Sequence, residues 1–235
     1  MGTCIITGCS DGIGRAVATR LSKTKYFDSY ALVGRNSNAM DAVTKDMMNN
    51  SDILSVESYY VDLSFPDKIP QVVNDVSERF GKIDCLLNIA GYTDPKPLLG
   101  TSLDSFEYTY MVNVFSPFML IRECTRKMKD LGGKIVNVAS TAGVSSRPGW
   151  ISYASSKAAL ISMSLTLADE LSEYGIRVYC VSPGRCATKL RKRLAPDENQ
   201  NSIMQPEEVA EVICNLVSPA EKCLDGQNII IRKLI

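Results

Sequence analysis

The chain has 235 residues, 45% hydrophobic and 22% charged, which fits one globular domain with a full core rather than a disordered or membrane-embedded chain. Its 26 basic and 26 acidic residues cancel, so no global field draws it to nucleic acid or to a membrane surface. Histidine is absent, which removes Ser-His-Asp and Cys-His machineries and most zinc sites, and the eight cysteines contain no CxxC pair and read as small buried residues, so no metal is expected.

The start, Met1-Gly2-Thr3-Cys4-Ile5-Ile6, has no basic region and no long apolar run before the glycines begin. Neither a signal peptide nor a transmembrane helix is expected, and a cytoplasmic location is. A strand from Cys4 to Thr7 runs into the turn Thr7-Gly8-Cys9-Ser10-Asp11-Gly12-Ile13-Gly14. That turn offers what a pyrophosphate needs: a sharp bend, backbone clear of side chains, and a helix N-terminus with open amides. A tight strand-to-helix turn without a ligand carries the same signature. Further strands are predicted at Tyr30 to Val33, Val56 to Val61, Ile83 to Asn88, Lys134 to Ala139, Ile176 to Val181 and Asn228 to Ile231, with helical segments between nearly all of them. Strands apolar almost throughout are covered on both faces. The expected fold is therefore α/β, a Rossmann-like, doubly wound parallel sheet of about seven strands with helices on both faces. No repeat, low-complexity tract or linker divides the chain, so 1–235 reads as a single domain.

A long helix is predicted from about Ser102 to Met128, with Asn113 inside it. Pro117, four residues later, has no amide hydrogen, so a continuous helix would leave the Asn113 carbonyl without its usual partner and free to hold a water. The alternative is a packing kink beside a tolerated polar residue. Ser140 follows the fifth strand, where its hydroxyl can polarise a carbonyl or simply cap a turn. Tyr153 and Lys157 lie four apart in a helix predicted from Ser152 to Tyr174, which places them on one face. There the ammonium would lower the phenol pKa from its ordinary value of roughly 10. The spacing itself is cheap, because Tyr92 and Lys96 share it, but Pro95 breaks that copy.

Taken in order, these motifs resemble the short-chain dehydrogenase/reductase family: TGxxxGxG at Thr7 to Gly14, Asp62-Leu63, Asn88-Ile89-Ala90-Gly91, Asn113, Ser140, Tyr153-Ala154-Ser155-Ser156-Lys157, Pro183-Gly184 and Thr188. Ile89 departs from the second asparagine usual in the family. Beyond Thr188 the likeness is one of layout, a helix near Pro206 to Val217 and a last strand. The resemblance implies a nicotinamide dinucleotide held by Gly8, Ser10, Asp11, Gly12, Ile13, Gly14, Arg35, Asn36, Asp62, Leu63, Asn88, Ala90, Gly91, Tyr153, Lys157, Pro183, Gly184, Cys186 and Thr188. It implies a catalytic set of Asn113, Ser140, Tyr153 and Lys157, with Tyr153 as general acid or base. Lys157 would bond the nicotinamide ribose, and a water at Asn113 would end the proton path.

Cofactor choice rests on Val33-Gly34-Arg35-Asn36, at the end of the second strand. No carboxylate stands there for a ribose hydroxyl, and Arg35 suits a 2′-phosphate, so NADP is expected over NAD. Asp11 departs from the basic residue many NADP-using relatives carry. The implied activity is NADPH-dependent reduction of a ketone, aldehyde or keto-sugar. Two alternatives stay open: a noncatalytic dinucleotide-binding protein, and a sugar-nucleotide epimerase or dehydratase, though those usually carry TGxxGxxG and a longer carboxyl-terminal domain. A substrate lid is expected at about 185–205. Its run Lys189-Leu190-Arg191-Lys192-Arg193, with Arg147 and Arg185, could receive an anionic substrate or be the solvated face of a short helix. Tyr92, Val144 and Trp150 are expected pocket walls. The family commonly pairs through the helices bearing the asparagine and the tyrosine, implying a homodimer or homotetramer, with no nucleic-acid or membrane partner.

Overall fold

The computed structural model describes residues 2–49, 55–224 and 226–233. Strands β1 (Thr3–Thr7), β2 (Ser29–Gly34), β3 (Ser55–Tyr60), β4 (Ile83–Asn88), β5 (Gly133–Val138), β6 (Ile176–Pro183) and β7 (Asn228–Ile231) form one sheet in the order β3-β2-β1-β4-β5-β6-β7, every pair parallel. The helices between them are α1 (Gly12–Leu21), α2 (Ser37–Asn49), α3 (Ile69–Phe80), α4 (Leu103–Tyr110), α5 (Ser116–Met128), α6 (Ile151–Leu171), α7 (Lys189–Leu194) and α8 (Pro206–Val217). This is the expected Rossmann-like architecture.

Alternation along each strand sends side chains to two cores. Cys4, Ile6, Tyr30, Leu32, Val136, Val138, Tyr179 and Val181 pack toward α1, α2 and α8. Their neighbours Ile5, Ala31, Val33, Ile135 and Val178 pack toward α3, α5 and α6. Burying each large aliphatic side chain on either face is worth about 1.5–3 kcal/mol, so a near-continuous apolar run is stable only between two helical layers. The chain builds β1 to β3 outward in one direction, then crosses to place β4 on the other side of β1. The carboxyl ends of β1 and β4 therefore diverge into a crevice, the place where such sheets bind ligands.

The predicted strands lie within two residues of the observed ones. β6 runs on through Ser182 and Pro183 because β7 lies alongside them, with Ser182 opposite Ile230 and Pro183 opposite Ile231. The predicted Ser102 to Met128 helix needs a correction: α4 and α5 are joined by a π turn at Met111–Phe115, where the Ser116 amide donates to the Met111 carbonyl. Pro117 sits in the first turn of α5, where its missing amide is harmless. Likewise α6 ends at Leu171, and Ser172–Tyr174 tighten into a 3-10 turn before Gly175 at φ +65°. The Tyr92 to Lys96 segment is irregular, with Lys96 paired to Asp94 at 2.8 Å. Seven cysteines are buried and Cys223 is exposed. Among the described residues no helix is long and apolar enough to cross a membrane.

Candidate active site

A cleft of about 670 Å³ opens over the carboxyl ends of the strands, within the range of small-molecule sites. Its floor at β1 is the glycine turn. Gly8 and Gly12 adopt φ of +69° and +51°, conformations that favour glycine. A Cβ on Gly8 would come within 2.7 Å of the Ala90 backbone, and one on Gly14 within 2.1 Å of the Gly8 carbonyl oxygen. The turn is thus packed against the β4 loop with no room for a side chain. Thr7 fastens the two: its hydroxyl accepts from the Ile89 and Ala90 amides at 3.0 and 3.1 Å and donates to the Leu87 carbonyl. We expect Gly14→Ala to destabilise the protein by about 3 kcal/mol or more, read as a lowered denaturant midpoint without added cofactor.

Asp11 stands at the N-cap of α1, but its side chain makes no cap bond and instead pairs with Lys189 at 3.2 Å. The first turn of α1 holds no acidic residue, so the helix presents backbone amides and the positive end of its dipole without a resident carboxylate cap. Such donors fit a pyrophosphate. Ser10, Ile13, Asn36 and Leu63 also line the cleft.

At the far end, Arg35 is not a free loop cation. Its guanidinium donates to the Tyr108 hydroxyl at 2.9 Å and to Asp62 at 3.4 Å. Burial pushes the Asp62 carboxyl up, but the Ser64 amide and Arg35 outweigh it and hold it below the usual range. Tyr108, on α4, stacks edge-on against Tyr92 with centroids 4.6 Å apart. Sequence reasoning passed over Tyr108, because nothing local in α4 marks a residue that meets a strand end 73 positions away.

At the other end, Ser140, Tyr153 and Lys157 converge, joined by Ala90, Gly91, Pro183, Gly184, Cys186 and Thr188. Ser140 leaves β5 extended, and its hydroxyl accepts from the Ala142 amide and meets the Tyr153 phenol. Lys157, 3% exposed, donates to the Val138 carbonyl at 2.8 Å, and its ammonium lies 5.9 Å from the Tyr153 ring centre. The expected depression of the tyrosine by this lysine is corrected by the surroundings. Burial raises the Tyr153 phenol above its ordinary value, with the Ser140 hydroxyl and the Arg191 charge pulling partly back. Burial also lowers Lys157 to about 8. Desolvation outweighs proximity in both, because each group's charged form has left water. Burial likewise raises the Cys186 thiol to about 12, which leaves it inert beside the cleft.

Two predicted site residues lie behind the cleft rather than in it. Asn88, 2% exposed, donates to Asn137, which donates to Ser164, a polar ladder across the sheet into α6. Asn113 is fully buried on the π turn, and its amide grips the backbone of Tyr92 from both sides, accepting from the nitrogen at 2.8 Å and donating to the carbonyl at 2.9 Å. It also donates to Ser156 Oγ at 3.0 Å, which donates to the Tyr153 carbonyl. The side chain thus ties the β4 loop to the helix carrying Tyr153 and Lys157. Of the predicted walls, Tyr92 and Trp150 line the cleft, whereas Val144 is 49% exposed and does not. Lys189, Leu190, Arg191 and Leu194 of α7 line the cleft, as do Arg147 and Arg185.

A doubly wound sheet with a glycine-turn cleft, ending in Ser140 beside the buried Tyr153 and Lys157, defines a dinucleotide-dependent oxidoreductase class. Comparison with known proteins names the class more narrowly. The model of the short chain dehydrogenase family matches residues 2–199. The chain is 32% identical over 233 residues to a 3-oxoacyl-[acyl-carrier-protein] reductase of Synechocystis sp., covering 95% of this chain and 92% of that one. It is 31% identical over 234 residues to the corresponding enzyme of Thermotoga maritima, covering 95% and 93%. A short-chain dehydrogenase/reductase structure from Mycobacterium marinum superposes with a TM-score of 0.89 at 28% identity, covering 98% and 93%. The chain belongs to the short-chain dehydrogenase/reductase family and is an oxidoreductase acting between C=O and CH–OH groups.

Proposed function

We propose that the protein is an NADPH-dependent reductase that converts a ketone to a secondary alcohol, with Tyr153 as the proton donor. The observation that carries this reading is the convergence of Ser140, Tyr153 and Lys157 at the end of a cleft whose other end holds Arg35. When bound, the cofactor supplies the hydride. The chain supplies everything else. The glycine turn and the α1 amides take the pyrophosphate, and Arg35, fixed by Tyr108, takes the 2′-phosphate. Lys157 takes the nicotinamide ribose. Ser140 hydrogen-bonds the substrate oxygen and holds it against the Tyr153 hydroxyl, whose proton completes the alcohol. Tyr153 is protonated at neutral pH, as the acid of a reduction must be. Lys157, poised near pH 8, passes the replacement proton inward from water at the π turn around Asn113.

The protein acts on a small molecule, as a homodimer or homotetramer in the cytoplasm. A 3-oxoacyl thioester is the first substrate to try, given the relatives' activity. The paired state of Lys189 and Arg191 disfavours a substrate anion bound by the inner face of the lid. The test is a panel of 3-oxoacyl thioesters, simple ketones and keto-sugars followed by loss of NADPH absorbance, with Tyr153→Phe as the blank. Consumption of NADPH at equal rates by both proteins would sink the reading. In the same assay we expect Arg35→Ser to raise KM for NADPH about tenfold, roughly 1.4 kcal/mol, while leaving KM for NADH little changed.

A further inference from the structure

Glu198 lies outside every motif of the chain, in the loop after α7, yet it is one of the best-satisfied carboxylates in the molecule. Arg191 addresses it with both prongs of its guanidinium, Nε to Oε2 at 2.6 Å and Nη2 to Oε1 at 2.7 Å, and Arg185 adds a longer contact at 3.4 Å. The Arg191 and Glu198 side chains are only 17% and 14% exposed, so this pair is not a solvated surface bridge. The same guanidinium lies 5.7 Å from the ring centre of Trp150. Trp150 in turn meets Tyr153 edge-on, with centroids 6.5 Å apart and planes at 73°.

Each part of this chain is anchored independently. Trp150 is the N-cap of α6, its carbonyl accepting from the Ala154 amide and its own amide donating to Arg147, and it bridges to Lys96. Arg191 starts from a helix capped by Thr188, whose hydroxyl accepts from the Arg191 amide. Glu198 is brought round by a loop closed at its base, where Ala187 donates to Met204 and Met204 donates to Arg185. A guanidinium held bidentately by a carboxylate and placed over an indole has little freedom to move.

We propose that Glu198 clamps Arg191 onto Trp150 to hold a fixed positive charge and a rigid wall beside Tyr153, making Arg191 a positioning residue for proton transfer and Glu198 its anchor. The charges facing the Tyr153 phenol are Lys157 one turn along α6 and Arg191 from α7, with Glu198 and Arg185 behind Arg191 and Arg147 at the rim. Burial of the phenol is the largest influence on its ionisation, and the Arg191 charge is one of the two that oppose it. Lid and catalytic tyrosine are therefore coupled through one aromatic ring. The coupling deepens the reductase reading but does not depend on the substrate or on NADPH preference.

Trp150 is the single tryptophan of the chain, so protein fluorescence excited at the indole reports this ring alone. Parent, Glu198→Gln, Arg191→Met, Arg191→Lys and the exposed lid control Lys192→Met are compared without cofactor. We expect Glu198→Gln and Arg191→Met to change emission intensity at least ~1.5-fold and to increase quenching by acrylamide, since the ring loses its cationic cover. Lys192→Met matches the parent. Phenolate absorbance of Tyr153, taken as the difference between each protein and its Tyr153→Phe counterpart, titrates about half a unit higher in Arg191→Met and moves less in Arg191→Lys, which keeps the charge. Emission and quenching unchanged in both Glu198→Gln and Arg191→Met, or a Tyr153 midpoint unmoved in Arg191→Met, overturns the proposal. Failure to find a carbonyl substrate would leave these readings intact and would count only against the reductase assignment.

Discussion

Tyr153→Phe is expected to lower kcat by at least ~10³-fold while leaving cofactor affinity nearly unchanged, because it removes the proposed proton donor and leaves the glycine turn, Arg35 and Lys157 in place. The phenyl ring keeps the edge contact with Trp150 and the volume of a residue that is 6% exposed, so the wall of the cleft stays in place. The hydroxyl's local partner is Ser140, which retains its bond from the Ala142 amide. Loss of one neutral hydrogen bond costs about 1 kcal/mol, too little to unfold the chain. Steady-state rates with the best carbonyl substrate, alongside a titration of Trp150 fluorescence with NADP, separate the two quantities. A variant that binds NADP as the parent does and also turns over like it would remove Tyr153 from the mechanism.

Lys157→Met is expected to do two opposite things: abolish activity, by at least ~100-fold, and stabilise the fold at neutral pH. The sign follows from the folded-state pKa. Folding lowers Lys157 from its ordinary value of 10.5 to about 8, so folding disfavours its protonated form. That penalty is fully present below about pH 8, where the ammonium is buried and charged. It fades as pH rises from about 8 toward 10.5, where the unfolded lysine also loses its proton. A difference of this size corresponds to roughly 3 kcal/mol, and loss of the bond to the Val138 carbonyl returns about 1, leaving a gain of about 2 kcal/mol at pH 7. Denaturant melts of parent and variant at pH 7 and pH 10 measure it. The gain should be present in the first and largely absent in the second. Equal stability at pH 7 would mean that the ammonium is better solvated than its 3% exposure implies.

These two residues also mark how far the sequence could be read. The strands were legible because a strand buried on both faces must be apolar nearly throughout, and each such run between amphipathic stretches has one reading. The glycine turn was legible because a φ of +69° and an approach of 2.7 Å to backbone admit little but glycine at Gly8. Spacing put Tyr153 and Lys157 on one face of α6. It gave the wrong sign for the tyrosine's ionisation, since burial of the phenol in the folded chain raises it and spacing along α6 does not encode that burial.

Asn113 shows the same division. Pro117 signalled that the helix around it is irregular, and irregular it is. The form, a π turn, and the grip of the side chain on Tyr92 and Ser156 required knowing which loop and which helix pack there. Arg35 was legible as the cation at the end of β2, but its partner Tyr108 was not. Arg191 was legible as one charge in a basic run, whereas the structure turns it inward to Glu198 and Trp150 and leaves Lys192 and Arg193 outside the cleft lining.

What the sequence determined by itself was periodic or local: strand and helix order, the glycine turn, and the spacing of the serine, tyrosine and lysine. What only the tertiary structure decided was whatever depends on contact between distant segments, namely how deeply Tyr153 and Lys157 are desolvated and which acid neutralises which base. Backbone geometry fixes the first kind within a few residues. The second kind follows from the low dielectric and close packing of the folded interior, which no stretch of the chain creates alone.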